Sequence, residues 1–137
     1  MTPHVNSDLH VCSKLGSEGE VKNFLAARAE DDATLDEKDE LDCAPILWGC
    51  RSGSIDVVKS LIEAGADIES KGYGGMRGLH HACNIYCEPV VQALLDKGAN
   101  VKATDDAGNT PLHWSASRGV LKIVQMVSGC SVLQLYA

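Results

Sequence analysis

The chain has 137 residues, 45% of them apolar, and a formal charge of −7. That balance argues against a nucleic-acid grip, which needs clustered Lys and Arg, and no apolar run approaches the ~18 residues of a membrane span. The N-terminus lacks a basic-then-apolar secretion signal, so a cytoplasmic or nuclear site is the expectation, and the length gives room for one domain.

In chain order, Ser7-Asp8-Leu9-His10-Val11-Cys12-Ser13 with Gly16 reads as a first short helix. Val21, Phe24 and Leu25 mark a second one. An acid-rich stretch follows: Glu30, Asp31, Asp32, Asp36, Glu37, Asp39, Glu40 and Asp42, opposed only by Lys38. The plainer reading is a solvated loop; the sharper one is an acidic docking lip that steers a basic partner. It lacks the Asp-x-Asp-x-Asp-Gly order of a calcium loop.

Ala44-Pro45-Ile46-Leu47-Trp48-Gly49-Cys50 with Gly53 opens the next helix, with Pro45 suited to its first turn. Small residues at Gly49 and Cys50 let a neighbouring helix approach. Val57, Val58, Leu61 and Ile62 fall at i, i+1, i+4 and i+5, which makes one apolar helical face ending near Gly65. The wording then returns. Arg77-Gly78-Leu79-His80-His81-Ala82-Cys83 and Thr110-Pro111-Leu112-His113-Trp114-Ser115-Ala116 repeat the first helix, and Val90, Val91, Leu94, Leu95 and Gly98 repeat the second. The anchors Ile46, Leu79 and Leu112 are 33 residues apart each time (79 − 46 and 112 − 79), whereas Leu9 precedes Ile46 by 37, so four residues are inserted. Each unit predicts helix, turn, longer helix and extended loop, and such units bury their apolar faces only by stacking.

This wording and period resemble the ankyrin-repeat family over nearly the whole chain. The resemblance implies an all-α solenoid of about four helix-turn-helix units joined by hairpin-like loops. It implies one domain over 1–137, with units near 5–38, 39–71, 72–104 and 105–137, the first and last degenerate caps. Four departures stand out: Leu47 where the family prefers His, Gly78 for Pro, Tyr86 for the inter-helix Gly, and the extra Pro89. Family members bind through a concave side of loop fingers and inner-helix edges. Carried over, this gives Glu40, Leu41, Cys43, Arg51 and Ser52; then Tyr73, Gly74, Met76, Asn84 and Ile85; then Asp106, Ala107, Asn109, Ser117 and Arg118. Tyr73, Met76 and Ile85 make unit three the expected centre of a hot spot, with local packing an equal reading for Ile85. The family's hydroxylated asparagine is replaced by Glu69 and Lys102, so no such modification is expected.

Catalytic vocabulary is missing: no Gly-x-Ser-x-Gly elbow, phosphate loop or His-Glu-x-x-His occurs. Gly72-Tyr73-Gly74-Gly75-Met76-Arg77-Gly78 looks like a dinucleotide loop, but its third glycine falls one residue late where the repeat demands a hairpin. His80, His81, Cys83 and Cys87 are the best metal candidates, yet the repeat points them apart. The cysteines read as reduced core residues rather than disulfides. Trp48, His81 and Trp114 share one position, continued by Val11, and read as a packing row. The expectation is a non-enzymatic scaffold or adaptor for a protein partner, with no metal or cofactor. The alternative is a regulatory or substrate-recruiting part of a larger multidomain enzyme. The apolar tail Ser128–Ala137 is expected to form an irregular cap or mediate self-association, or the chain is a fragment of a longer array.

Overall fold

The computed structural model describes residues 5–27 and 33–129. Among the described residues are eight α-helices and no strand: α1 (Val5–Leu15), α2 (Glu18–Ala27), α3 (Pro45–Ser52), α4 (Ile55–Glu63), α5 (Gly78–Asn84), α6 (Glu88–Asp96), α7 (Pro111–Arg118) and α8 (Leu121–Ser128). They pair as α1–α2, α3–α4, α5–α6 and α7–α8. The first helices α1, α3, α5 and α7 each touch the next to form one layer, and α2, α4, α6 and α8 do the same in a second. The architecture is the all-α repeat solenoid the sequence predicts. The acids Glu30 to Asp32 and the tail Cys130–Ala137 lie outside the described residues.

Repeat positions explain the packing. Leu9, Ile46 and Leu79 occupy one slot and are at most 3% exposed, whereas Leu112 in the same slot of the last unit is 37% exposed. Val57, Val58 and Leu61 of α4, and Val90, Val91 and Leu94 of α6, are wholly buried between the layers. Each such side chain contributes roughly 1.5–3 kcal/mol by leaving water. Gly49 lets α3 meet α4: a Cβ there would sit 3.1 Å from Val58 Cγ2. Gly78 does the same between units, since its Cβ would sit 2.9 Å from Cys50 Sγ.

The inter-helix turn needs a left-handed residue. Gly16, Gly53 and Gly119 supply it with φ of 72°, 71° and 69°, and Tyr86 is held at φ 47° in the equivalent place. A short 3₁₀ turn, Ala33–Asp36, brings Leu35 to 5% exposure against α1 and α3. Cys43, Cys50, Cys83 and Cys87 are free thiols. Burial pushes Cys50 and Cys83 up to about 12, so both are inert at neutral pH.

Candidate protein-binding surface

Three loop fingers precede α3, α5 and α7, and one hydrogen bond closes each in the same way. The backbone N–H of Asp39 donates to the carbonyl of Cys43 at 3.0 Å, that of Gly72 to Met76 at 2.9 Å, and that of Asp105 to Asn109 at 2.9 Å. In two fingers a carboxylate then ties the loop to its helix. Asp39 Oδ1 accepts from the N–H groups of Leu41 (2.9 Å) and Cys43 (3.0 Å), while Oδ2 accepts from Trp48 Nε1 at 2.6 Å. Asp105 Oδ1 accepts from Ala107 (3.0 Å) and Asn109 (2.8 Å), and Oδ2 from Trp114 Nε1 at 3.1 Å. Burial alone would raise both carboxyls, but the donated hydrogen bonds outweigh it and hold them below the usual carboxylate range.

Unit three breaks this pattern, and its neighbour explains why. Residue 72 is glycine, so His81 has no carboxylate in the place where Trp48 and Trp114 each find one. A Cβ on Gly72 would lie 2.6 Å from Leu47 Cδ1. Leu47 stands where its neighbours carry His10 and His80, and its branched side chain fills the space a larger residue 72 would need. His81 Nε2 is consequently buried with no hydrogen-bond partner. Burial, then the charge of Arg51, then His80, depress its proton affinity to a pKa of about 4. His81 is therefore neutral at physiological pH.

The histidine slot links successive units. His80 Nδ1 accepts from the backbone N–H of Arg77 at 3.0 Å, which leaves the proton on Nε2 for the carbonyls of Ala103 (3.1 Å) and Asn109 (3.0 Å). His10 Nε2 meets the carbonyl of Glu37 at 2.7 Å. These bonds steady the next finger, as the resemblance implies. With His80 committed to backbone groups and Cys83 inside the core, the sequence's metal candidates serve the fold. Cys87 lies beyond the end of α5, at the residue before α6, with its thiol 3.6 Å from the Gly53 carbonyl.

The candidate binding residues divide into two groups. Glu40, Leu41, Tyr73 and Asp106 stand on exposed finger tips, with Leu41 54% and Tyr73 74% exposed. Met76 and Asn109 are half-buried, as is Ile85, whose Cδ1 would meet a Gly53 Cβ at 3.3 Å and so shelters the preceding turn. Arg118 donates from Nε (3.2 Å) and Nη2 (2.9 Å) to Asn84 Oδ1, bridging two inner helices. Ser52 Oγ donates to the Gly49 carbonyl at 3.1 Å, and Arg51 lies 4.6 Å from the centre of the Trp48 ring. Cys43 is fully buried and offers no contact surface. The fingers are also joined to one another, since the N–H of Asp106 donates to the Gly74 carbonyl at 2.9 Å. An open depression of about 210 Å³ beside Asn109, His113, Trp114 and Ser117 is smaller than the ~300–1,000 Å³ typical of small-molecule pockets.

Two residues of the acidic stretch turn out to serve the fold. Asp36 Oδ1 accepts from the N–H of Asp67 at 2.8 Å, and one repeat later Glu69 Oε1 accepts from Asn100 at the same distance. Asp39 is the finger tie described above. Glu40 and Asp42 remain exposed. The recurrence of an acid at 36 and 69, and the nine-residue spacing of Asp39–Trp48 and Asp105–Trp114, were signals available in the sequence.

A family model described as "Ankyrin repeats (3 copies)" matches residues 50–134. The chain belongs to the ankyrin-repeat family. It is 31% identical over 112 residues to a Saccharomyces cerevisiae protein named "Probable 26S proteasome regulatory subunit p28", covering 80% of this chain and 49% of that one. It is 30% identical over 130 residues to "Ankyrin repeat and SOCS box protein 11" of Danio rerio, covering 94% and 42%. With "E3 ubiquitin-protein ligase XBAT33" of Arabidopsis thaliana it shares 32% over 118 residues, covering 75% and 23%. The chain thus spans half or less of these relatives. Ankyrin repeats form a non-catalytic fold that binds proteins, and protein–protein interaction is the function the family gives this chain. Among the described residues no helix is long and apolar enough to cross a membrane.

Proposed function

We propose that this chain is a non-enzymatic adaptor that binds a protein partner through its concave surface, at a cytoplasmic or nuclear site. The carrying observation is the contrast within the fingers. Their backbones are fixed by Asp39, Asp105 and repeated loop bonds, yet Leu41 and Tyr73 project from them largely exposed. A rigid frame presenting uncovered apolar side chains loses little entropy on binding, and Tyr is favoured in contact patches. The contact set is Glu40, Leu41, Arg51, Ser52, Tyr73, Met76, Asn84, Ile85, Asp106, Asn109 and Arg118.

The test is affinity capture from cell extract followed by mass spectrometry, using the wild type beside a Tyr73→Ala/Met76→Ala/Arg51→Glu variant whose circular dichroism is unchanged. The adaptor reading expects proteins captured by the wild type and lost by the variant. Equal capture by both would move the contact elsewhere. A second reading, a substrate-recruiting part of a larger enzyme, is favoured by the E3 ligase relative of which this chain covers only 23%. It expects the captured set to be ubiquitinated by the longer protein and not by this chain alone.

A further inference from the structure

Two exposed cations without a carboxylate partner lie over the ring of Trp48, while Lys59, Lys71, Lys97 and Lys102 also make no ion pair among the described residues. Lys14 Nζ lies 5.0 Å, and Arg51 Cζ 4.6 Å, from the centre of the Trp48 ring. Both side chains are exposed. Lys22, Lys38, Arg77 and Lys122 each pair with a carboxylate, and Arg118 is spent on Asn84. Lys14 and Arg51 make no ion pair among the described residues; the face of an indole holds them instead. Ring attraction at an exposed site is worth only about 0.5–1 kcal/mol per cation, less than a charge-assisted bond to a carboxylate. The ring therefore holds both cations without satisfying them.

Near Arg51, the next unit leaves a buried ring nitrogen without a partner. His81 occupies the position of Trp48 in the next unit, is 92% buried (8% exposed), and its Nε2 has no partner. The units on either side answer the same position with Asp39 and Asp105; unit three has Gly72 there. Asp39 does not compensate, because its two oxygens already accept from Trp48, Leu41 and Cys43.

We infer that the inner-helix face formed by Lys14, Trp48, Arg51 and His81 is a carboxylate-binding subsite, and that its occupant is an acidic peptide segment of the partner. The inference rests on the concave-surface reading and gives that surface a partner chemistry. The Arg51 fork takes the carboxylate in a bidentate pair, Lys14 adds a second charge, and the indole has already limited the freedom of both side chains. A carboxylate is the group that two of the three fingers place opposite this position, which favours it over other anions. One repeat onward the row continues as Asn84, aligned with Arg51 at a step of 33 (84 − 51), so the cationic end of the groove is at unit two.

The test uses a capped, rhodamine-labelled peptide of alternating Glu and Asp, with Gln–Asn and Lys–Arg counterparts, read by fluorescence anisotropy on the intact chain. The acidic peptide is expected to bind at least about ten-fold more tightly than the neutral one, the worth of one charge-assisted pair, and to weaken as salt is raised. Lys14→Gln/Arg51→Gln is expected to remove that preference, and His81→Phe to reduce it. Lys59→Gln/Lys97→Gln makes the same change of charge on exposed positions elsewhere and is expected to leave it intact. Equal losses in the two double variants, or equal binding of acidic and neutral peptides, would overturn the subsite. Preferred binding of the basic peptide, lost in Tyr73→Ala/Met76→Ala, would also overturn it while leaving the concave reading standing.

Discussion

Replacing Gly72 with alanine adds one methyl group, and the structure predicts that the change is felt most strongly through one neighbour. The backbone at Gly72 has φ −116° and ψ −151°, an extended conformation open to any residue, so no backbone strain enters. The new Cβ would lie 2.6 Å from Leu47 Cδ1, about an ångström inside the ~3.5–4.0 Å of a favourable carbon contact. Leu47 is wholly buried and has little room to retreat. Overpacking of this kind costs about 1–3 kcal/mol, reduced slightly because alanine restricts the unfolded chain. Leu47→Ala alone leaves a cavity and costs about 2–5 kcal/mol. In the double variant the clash with Leu47 is gone, only the 3.2 Å approach to the Asp42 carbonyl remains, and the new methyl occupies part of the cavity, so its loss is expected to fall short of the sum by at least about 1 kcal/mol. Urea unfolding of the four proteins, followed by circular dichroism, measures this coupling. Additivity within about 0.5 kcal/mol would refute the claim that Leu47 and Gly72 are one packing unit.

Four further outcomes are expected. His81 is held neutral by burial and by Arg51 at a pKa of about 4, so the unfolded state takes up the proton first; its contribution is complete above the unfolded value near 6.5 and is lost as pH falls toward 4. His80 shifts in the same direction, so His81→Phe is expected to flatten the pH dependence of thermal stability between these values in part, while leaving stability at pH 7 equal or higher. Asp39→Ala strands the N–H groups of Leu41, Cys43 and Trp48 and is expected to cost about 2–4 kcal/mol in chemical unfolding. Because the Asp39 and Asp105 carboxyls are held low, their stabilisation is present above the unfolded value near 3.9 and is lost as pH drops through the folded values; Asp39→Asn should lessen that acid sensitivity. Tyr86→Gly releases a left-handed tyrosine that is 56% exposed and is expected to raise stability by about 1 kcal/mol, seen as a higher urea midpoint.

The sequence carried the fold because a repeat states its pattern several times. The anchor slot at Leu9, Ile46 and Leu79 and the paired valines of α4 and α6 each appear where the spacing puts them. Tyr86 in the glycine position was visible as a departure, and its positive φ is what that departure means. The finger ties were less legible, because Asp39 looked like one acid among many in a charged stretch. The relation of Leu47, Gly72 and His81 could not be read at all. It depends on one side chain filling the space of another 25 positions away (72 − 47), and no periodicity reports that. Leu41 and Tyr73 are exposed at the finger tips, whereas Cys43 shares a finger with Leu41 and is buried, because the chain turns between them at Asp42, whose φ is 62°.

The most direct test of the account is amide hydrogen exchange on the chain alone and bound to a protein captured through it. The account predicts new protection at the three fingers (39–43, 72–76 and 105–109) and along the exposed ends of α3, α5 and α7, with α4, α6 and α8 unchanged. Protection confined to those outer helices, with the fingers exchanging as in the free chain, would contradict it.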